Sequence, residues 1–166
     1  MQTFSDEQLY QSTQLLAELL TLSGLTLATA ESCTGGWLAK CCTDLAGSSS
    51  WFEGGVVSYS NDIKQTILDV QLATLEQFGA VSEQTAIEMA QGALINTGAS
   101  LSVAITGIAG PTGGSKDKPV GTVCFAWNKN NTQITSEQHH FNGNRESIRR
   151  QAVMTALLGL IKNARD

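Results

Sequence analysis

The chain has 166 residues, 42% of them apolar and 15% charged, with a formal net charge of −5. That length makes one domain with room for a real core, and the composition excludes a disordered chain. The negative balance argues against nucleic-acid binding through a basic surface, and no apolar run approaches the ~18 residues of a membrane helix.

Asp6 to Ser23 reads as an amphipathic helix, with Ser5 as its cap, acids in its first turn, Leu9, Thr13, Leu16 and Leu20 on one stripe, and Gly24 as its stop. Leu25 to Ala30 follows as a strand and Gly35 to Leu45 as a helix. Gly54 to Ser60 is a second strand, after which Ser60 or Asn61 caps a short helix carrying Ile63, Lys64, Ile67 and Leu68. Ser82 to Thr97 is a helix with Ala86, Met89, Ala90 and Ala93 inward, and Leu101 to Ile105 is a short, fully buried strand. Thr122 to Trp127 and Ile134 to Phe141 alternate as the arms of an antiparallel hairpin around the turn at Asn128 to Thr132. Arg145 to Lys162 closes the chain as a helix with Ile148, Ala152, Thr155, Ala156, Gly159 and Leu160 inward. Helices alternating with strands, and a late hairpin, predict an α/β layered domain with a mixed sheet and helices on both faces.

Cys33, Cys41, Cys42 and Cys124 form no CxxC pair. The first seven residues, Met1-Gln-Thr-Phe-Ser-Asp-Glu, have neither a basic start nor an apolar core. A cytoplasmic chain with reduced thiols is the expectation. No metal is expected, because ligands at short paired spacing are missing and the adjacent His139 and His140 point to opposite faces of a strand.

The stretch Glu31-Ser32-Cys33-Thr34-Gly35-Gly36 links a strand to a helix through a turn of small residues. Backbone N–H groups at such a helix start favour phosphate, carboxylate or a developing oxyanion. Ser32 and Cys33 are then two candidate nucleophiles at one spot, with helix capping by Ser32 or Thr34 as the plain alternative. The loop Thr106-Gly-Ile-Ala-Gly-Pro-Thr-Gly-Gly-Ser115 leaves a second strand and should share the same carboxyl edge of the sheet, where α/β sheets bind ligands. It matches neither a P-loop nor a dinucleotide fingerprint. Thr34, Gly35 and Gly36 from one loop, with Thr106, Gly107, Ala109, Gly110 and Gly113 from the other, are therefore candidate substrate-binding residues.

A nucleophilic Ser32 needs a base. In Tyr59-Ser-Asn-Asp-Ile-Lys64 a neutral lysine is a candidate, with Tyr59 to relay or orient the proton. Bringing an ammonium pKa from ~10.4 to ~7 costs about 4–5 kcal/mol, within the reach of burial. A solvated helix lysine and a buried, inert Cys33 are the plain readings of the same residues. Arg145 and Arg149, four apart on the last helix, could clamp a phosphate, while Glu146 could pair with Arg150.

Taken together, Ala30-Glu-Ser-Cys-Thr-Gly-Gly, Trp51-Phe-Glu-Gly-Gly-Val-Val-Ser-Tyr-Ser-Asn, Gly79-Ala-Val-Ser82, Thr106-Gly-Ile-Ala-Gly-Pro-Thr-Gly-Gly, Lys118-Pro-Val-Gly-Thr122 and Arg149-Arg150-Gln151 resemble the nicotinamide-nucleotide amidase family. This is the stand-alone form of the C-terminal domain of the competence-damage-inducible protein. The resemblance runs from about Leu9 to Leu160. It implies a single amidase domain over 1–166, folded as a three-layer α/β/α sandwich. The implied reaction hydrolyses the carboxamide of nicotinamide mononucleotide to nicotinate mononucleotide and ammonia, with no cofactor. The implied catalytic residues are Ser32, Lys64 and Tyr59, with Arg145 expected on the substrate phosphate. The expected partner is the small nucleotide alone, with neither nucleic acid nor membrane, in a homo-oligomer with a dimer as first guess. An inactive nucleotide-binding domain and a Cys33-dependent amidase are the alternatives.

Overall fold

Ser5 caps the first helix, α1 (Asp6–Ser23), in a reciprocal box: its hydroxyl accepts from the Gln8 N–H, and its own N–H donates to the Gln8 side chain. The helix stops at Gly24, whose φ of 66° suits a residue without Cβ, and the Leu25 N–H closes back on the Leu20 carbonyl. The computed structural model of the protein describes residues 4–165. Residues 1–3, where the expected leaderless start begins, and residue 166, the last of the expected 1–166 domain, lie outside the described residues.

The chain continues through β1 (Leu27–Glu31), α2 (Trp37–Thr43), β2 (Phe52–Val57), α3 (Asn61–Leu68), α4 (Leu72–Phe78), α5 (Glu83–Thr97), β3 (Leu101–Gly107), β4 (Thr122–Lys129), β5 (Gln133–His140) and α6 (Arg145–Arg165). The sheet order is β2-β1-β3-β4-β5. β1 runs parallel to both β2 and β3, whereas β3–β4 and β4–β5 are antiparallel. The sheet is mixed, as the pattern predicts. Strand ends differ by a few residues. Leu25 is held in the close of α1, so β1 starts later. Phe52 pairs with Leu27, so β2 starts earlier and ends at Val57. Helix α4 was not anticipated; it has no side-chain cap and buries only Leu75, too little to give a readable period.

The two sheet faces differ in size. One presents Leu27, Leu101, Val103, Ile105, Val123, Phe125 and Trp127 to α1, α2 and α6. The other presents Ala28, Ala30, Ala104, Cys124 and Ala126 to α5 and to the Leu68–Leu75 region. Small side chains on both sides let α5 approach closely, and the Ser102 hydroxyl reaches the Ala90 carbonyl at 2.7 Å. At Gly92 an added Cβ would overlap the Leu68 carbonyl at the end of α3. This contact fixes α3, the helix that carries Lys64.

Candidate functional site

Because β1, β2 and β3 are parallel, their carboxyl ends meet at one sheet edge. The Ser32 turn leaves β1, α3 follows β2, and the glycine loop leaves β3. Ser60 caps α3 by accepting from the Ile63 N–H, and this directs Lys64 inward. Lys64 is 1% exposed, and its Nζ donates to Ser32 Oγ at 3.1 Å and to the Ser58 carbonyl at 2.7 Å. Burial pushes the Lys64 amine below the ordinary lysine value. Lys64 is thus a buried partner of Ser32 and not a solvated helix lysine.

A cleft of about 360 Å³ opens over this pair. Its walls include Ser32, Cys33, Tyr59, Lys64, Thr106, Gly107, Ala109, Gly110, Gly113 and Arg145, all singled out by the sequence. Asn61, Ala80, Val81, Ile108 and Thr112 line it as well; they lie within the motifs that carry the resemblance, but no site role was assigned to them from the sequence. The Thr106 hydroxyl is turned to the Ala80 carbonyl at 2.7 Å, so it holds the lip and does not face the opening. Gly107 is excluded from having a side chain by Val123 and the Thr122 carbonyl across the β3–β4 ladder. Arg145, the first residue of α6, donates to the Gly110 carbonyl at 2.8 Å and to the Tyr59 hydroxyl at 3.2 Å. Tyr59 itself is 64% exposed at the mouth, and its hydrogen-bond partner is this arginine instead of Ser32 or Lys64.

The helix start after Ser32 differs from the expectation. Glu31, 1% exposed, folds its carboxylate beneath the turn and accepts from the N–H groups of Gly36 (3.1 Å), Leu38 (3.1 Å) and Ala39 (2.8 Å). An internal anion therefore occupies the start of α2, where a ligand anion was expected. Thr34, Gly35 and Gly36 do not line the Ser32 cleft. Thr34 is buried, and the two glycines face a separate groove against Trp37 and α1. The acid immediately before a helix-opening turn was the available signal for Glu31. The backbone donors left at the turn are the Cys33 and Thr34 N–H groups, which donate to no oxygen among the described residues.

The two arginines of α6 also separate. Arg149 does not join Arg145; its Nε donates to the Cys33 carbonyl (3.0 Å) and its NH2 to the Thr34 carbonyl (2.8 Å), on the side of the turn away from the cleft. Arg150 pairs with Glu146, as the spacing suggested, and with Asp6. All four cysteines are free and buried, and burial pushes the Cys33 thiol up to about 12.

The CinA C-terminal domain model matches residues 9–164. The chain belongs to the CinA C-terminal domain family. It is 49% identical over 153 residues to the nicotinamide-nucleotide amidohydrolase PncC of Escherichia coli K12, covering 92% of this chain and 93% of that one. A CinA-like protein of Syntrophomonas wolfei is 53% identical over 145 residues, which are 86% of this chain but 34% of that longer protein. Among solved CinA-family structures, the competence/damage-inducible protein CihA of Agrobacterium tumefaciens superposes with a TM-score of 0.93 at 42% identity, covering 100% of both chains. The α/β architecture is that of the CinA family. No described helix is long and apolar enough to cross a membrane.

Proposed function

We propose that the protein hydrolyses the carboxamide of nicotinamide mononucleotide to nicotinate mononucleotide and ammonia, using Ser32 as nucleophile and Lys64 as its base. The observation that carries this reading is the buried 3.1 Å contact between Lys64 Nζ and Ser32 Oγ, at a lysine whose ammonium form burial disfavours. The name of the Escherichia coli relative supplies the substrate class.

In the proposed reaction Ser32 Oγ bonds to the carboxamide carbon, the carbonyl electron pair moves onto oxygen, and Lys64 takes the hydroxyl proton. The Cys33 and Thr34 N–H groups are the donors for that oxygen, a stabilisation worth about 3–4 kcal/mol per donor. Collapse breaks the C–N bond, and Lys64 returns the proton to the departing ammonia. Water then attacks the acyl-Ser32 by the same route, releasing the acid. The Ser58 carbonyl keeps one Nζ hydrogen engaged and so directs the amine at Ser32. Arg145 lies on the cleft wall and is the residue assigned to the substrate phosphate in this reading, with Tyr59 hydrogen-bonded to it. Homo-oligomerisation, with a dimer as first guess, and a cytoplasmic location rest on the resemblance and the sequence.

A Cys33 thiol held near pH 12 is a poor nucleophile at neutral pH, which weighs against the thiol enzyme. Ammonia release from nicotinamide mononucleotide by wild type, Ser32→Ala, Lys64→Ala and Cys33→Ala tests the reading. Cys33→Ala is expected to work, and the other two to lose nearly all turnover. An active Ser32→Ala sinks the serine nucleophile, and an inactive wild type leaves a binding domain.

A further inference from the structure

The turn after Ser32 leaves the Cys33 carbonyl without a backbone donor among the described residues, whereas the Thr34 carbonyl accepts from the Trp37 N–H at 3.2 Å. In a continuing helix the Cys33 and Thr34 carbonyls would accept from N–H groups three or four residues on. Of those, the Gly36 and Leu38 N–H groups are held by Glu31, and the Trp37 N–H goes to the Thr34 carbonyl, so none reaches the Cys33 carbonyl. From α6, Arg149 supplies the missing partner of the Cys33 carbonyl and a second donor to the Thr34 carbonyl, two charge-assisted bonds, and its guanidinium lies 5.3 Å over the Trp37 ring.

In a trans peptide the carbonyl and the N–H point opposite ways. Anchoring the Cys33 carbonyl to Arg149 therefore turns the Thr34 N–H away from α6. The Gly35 N–H bond to the Ser32 carbonyl does the same for the Cys33 N–H. Drawing electron density from a carbonyl also strengthens the N–H of the same peptide as a donor.

We propose that Arg149 is a positioning residue for the reaction, aligning and polarising the Cys33–Thr34 turn whose N–H groups receive the oxyanion. This rests on the serine-nucleophile reading of the same site. Arg149 touches no substrate; it acts through the turn. Its effect falls on the transition state and leaves ground-state binding of the nucleotide alone.

The probe is the 3-formylpyridine ribonucleotide, the aldehyde counterpart of the substrate. Its formyl carbon accepts Ser32 Oγ while the hydroxyl proton passes to Lys64, giving a reversible tetrahedral adduct whose oxygen occupies the oxyanion position. Arg149→Lys keeps the charge but loses the two-point fork. It should lower kcat by about tenfold or more and weaken the aldehyde by a similar factor, with KM for the amide within about twofold. Unchanged aldehyde affinity beside a lowered melting temperature would make Arg149 a plain structural clip and overturn the proposal. Wild type alone gives a second measurement: the Cys33 or Thr34 amide proton should move downfield on adduct formation, and two unmoved amides overturn the proposal. Ser32→Ala separates the two layers. If it binds the aldehyde as wild type does, the nucleophile reading fails and the proposal with it. If wild type needs Ser32 but ignores Arg149→Lys, only the positioning role fails.

Discussion

Replacing Glu31 by Gln keeps the side-chain shape and removes the charge beneath the nucleophile turn. The Gln carbonyl can replace the oxygen that accepts from Gly36 and Leu38, but its NH2 then faces the Ala39 N–H, donor against donor. Two charge-assisted bonds become neutral, at a loss of about 1 kcal/mol each, and the third is forfeited at about 1.5–3 kcal/mol. Relief of a buried charge offsets part of this, leaving a net destabilisation of roughly 3 kcal/mol. An ordinary N-cap would cost only ~1 kcal/mol, so the two cases are separable. At this chain length the melting temperature should fall by about 6–12 °C. Thermal unfolding by circular dichroism, with urea titration for the free energy, reads it directly. A loss below about 1 kcal/mol would show that the three contacts contribute no more than a single cap and refute the reasoning.

Lys64 yields a paired prediction in pH. Its folded pKa lies below the unfolded value of 10.5, so the unfolded state holds the proton to higher pH and wild-type stability rises across that interval. Lys64→Met should therefore raise the melting temperature near neutral pH, with the advantage shrinking as pH approaches 10.5; an advantage that stays flat with pH refutes it. In activity, wild-type kcat/KM should fall on the acid side as Lys64 is protonated, and Lys64→Arg, a permanent cation, should be inactive. Arg145→Ala should raise KM for nicotinamide mononucleotide far more than for the unphosphorylated riboside, measured by ammonia release; equal losses would put the phosphate elsewhere. Gly92→Ala should destabilise by about 1–3 kcal/mol in urea unfolding, because its methyl meets the Leu68 carbonyl, and should lower kcat by shifting α3; an unchanged midpoint refutes the close packing.

Most of the architecture was legible because it rests on local signals: the Ser5 box, the Gly24 stop, the α5 stripe and the β4–β5 alternation are all written within a few residues of where they act. The Ser32 turn and the glycine loop were legible as a pair because parallel strands bring their exits to one edge. What escaped was long-range or unpatterned. The Ser58 carbonyl that seats Lys64 is a backbone atom with no residue code, and α4 is too short for periodicity. Arg149 reaches a turn 116 positions earlier, so its spacing from Arg145 suggested a shared ligand that its actual partners forbid. Gly35 and Gly36 were assigned to the cleft by adjacency to Ser32, although at φ of 62° and 90° they turn the chain out of it.

The carboxylate beneath the turn also bears on how a catalytic cycle ends. On the proposed reaction the product differs from the substrate by an acid group created beside Ser32. A bare helix start at that place would draw the new anion in and hold it, so each turnover would slow the next. With Glu31 already seated against the Gly36, Leu38 and Ala39 N–H groups, that attraction is cancelled before the product forms. The neutral amide is not affected by the exchange, while the finished acid meets a like charge behind the turn. On that reaction, the seated carboxylate would favour release of the acid over retention of it at the turn.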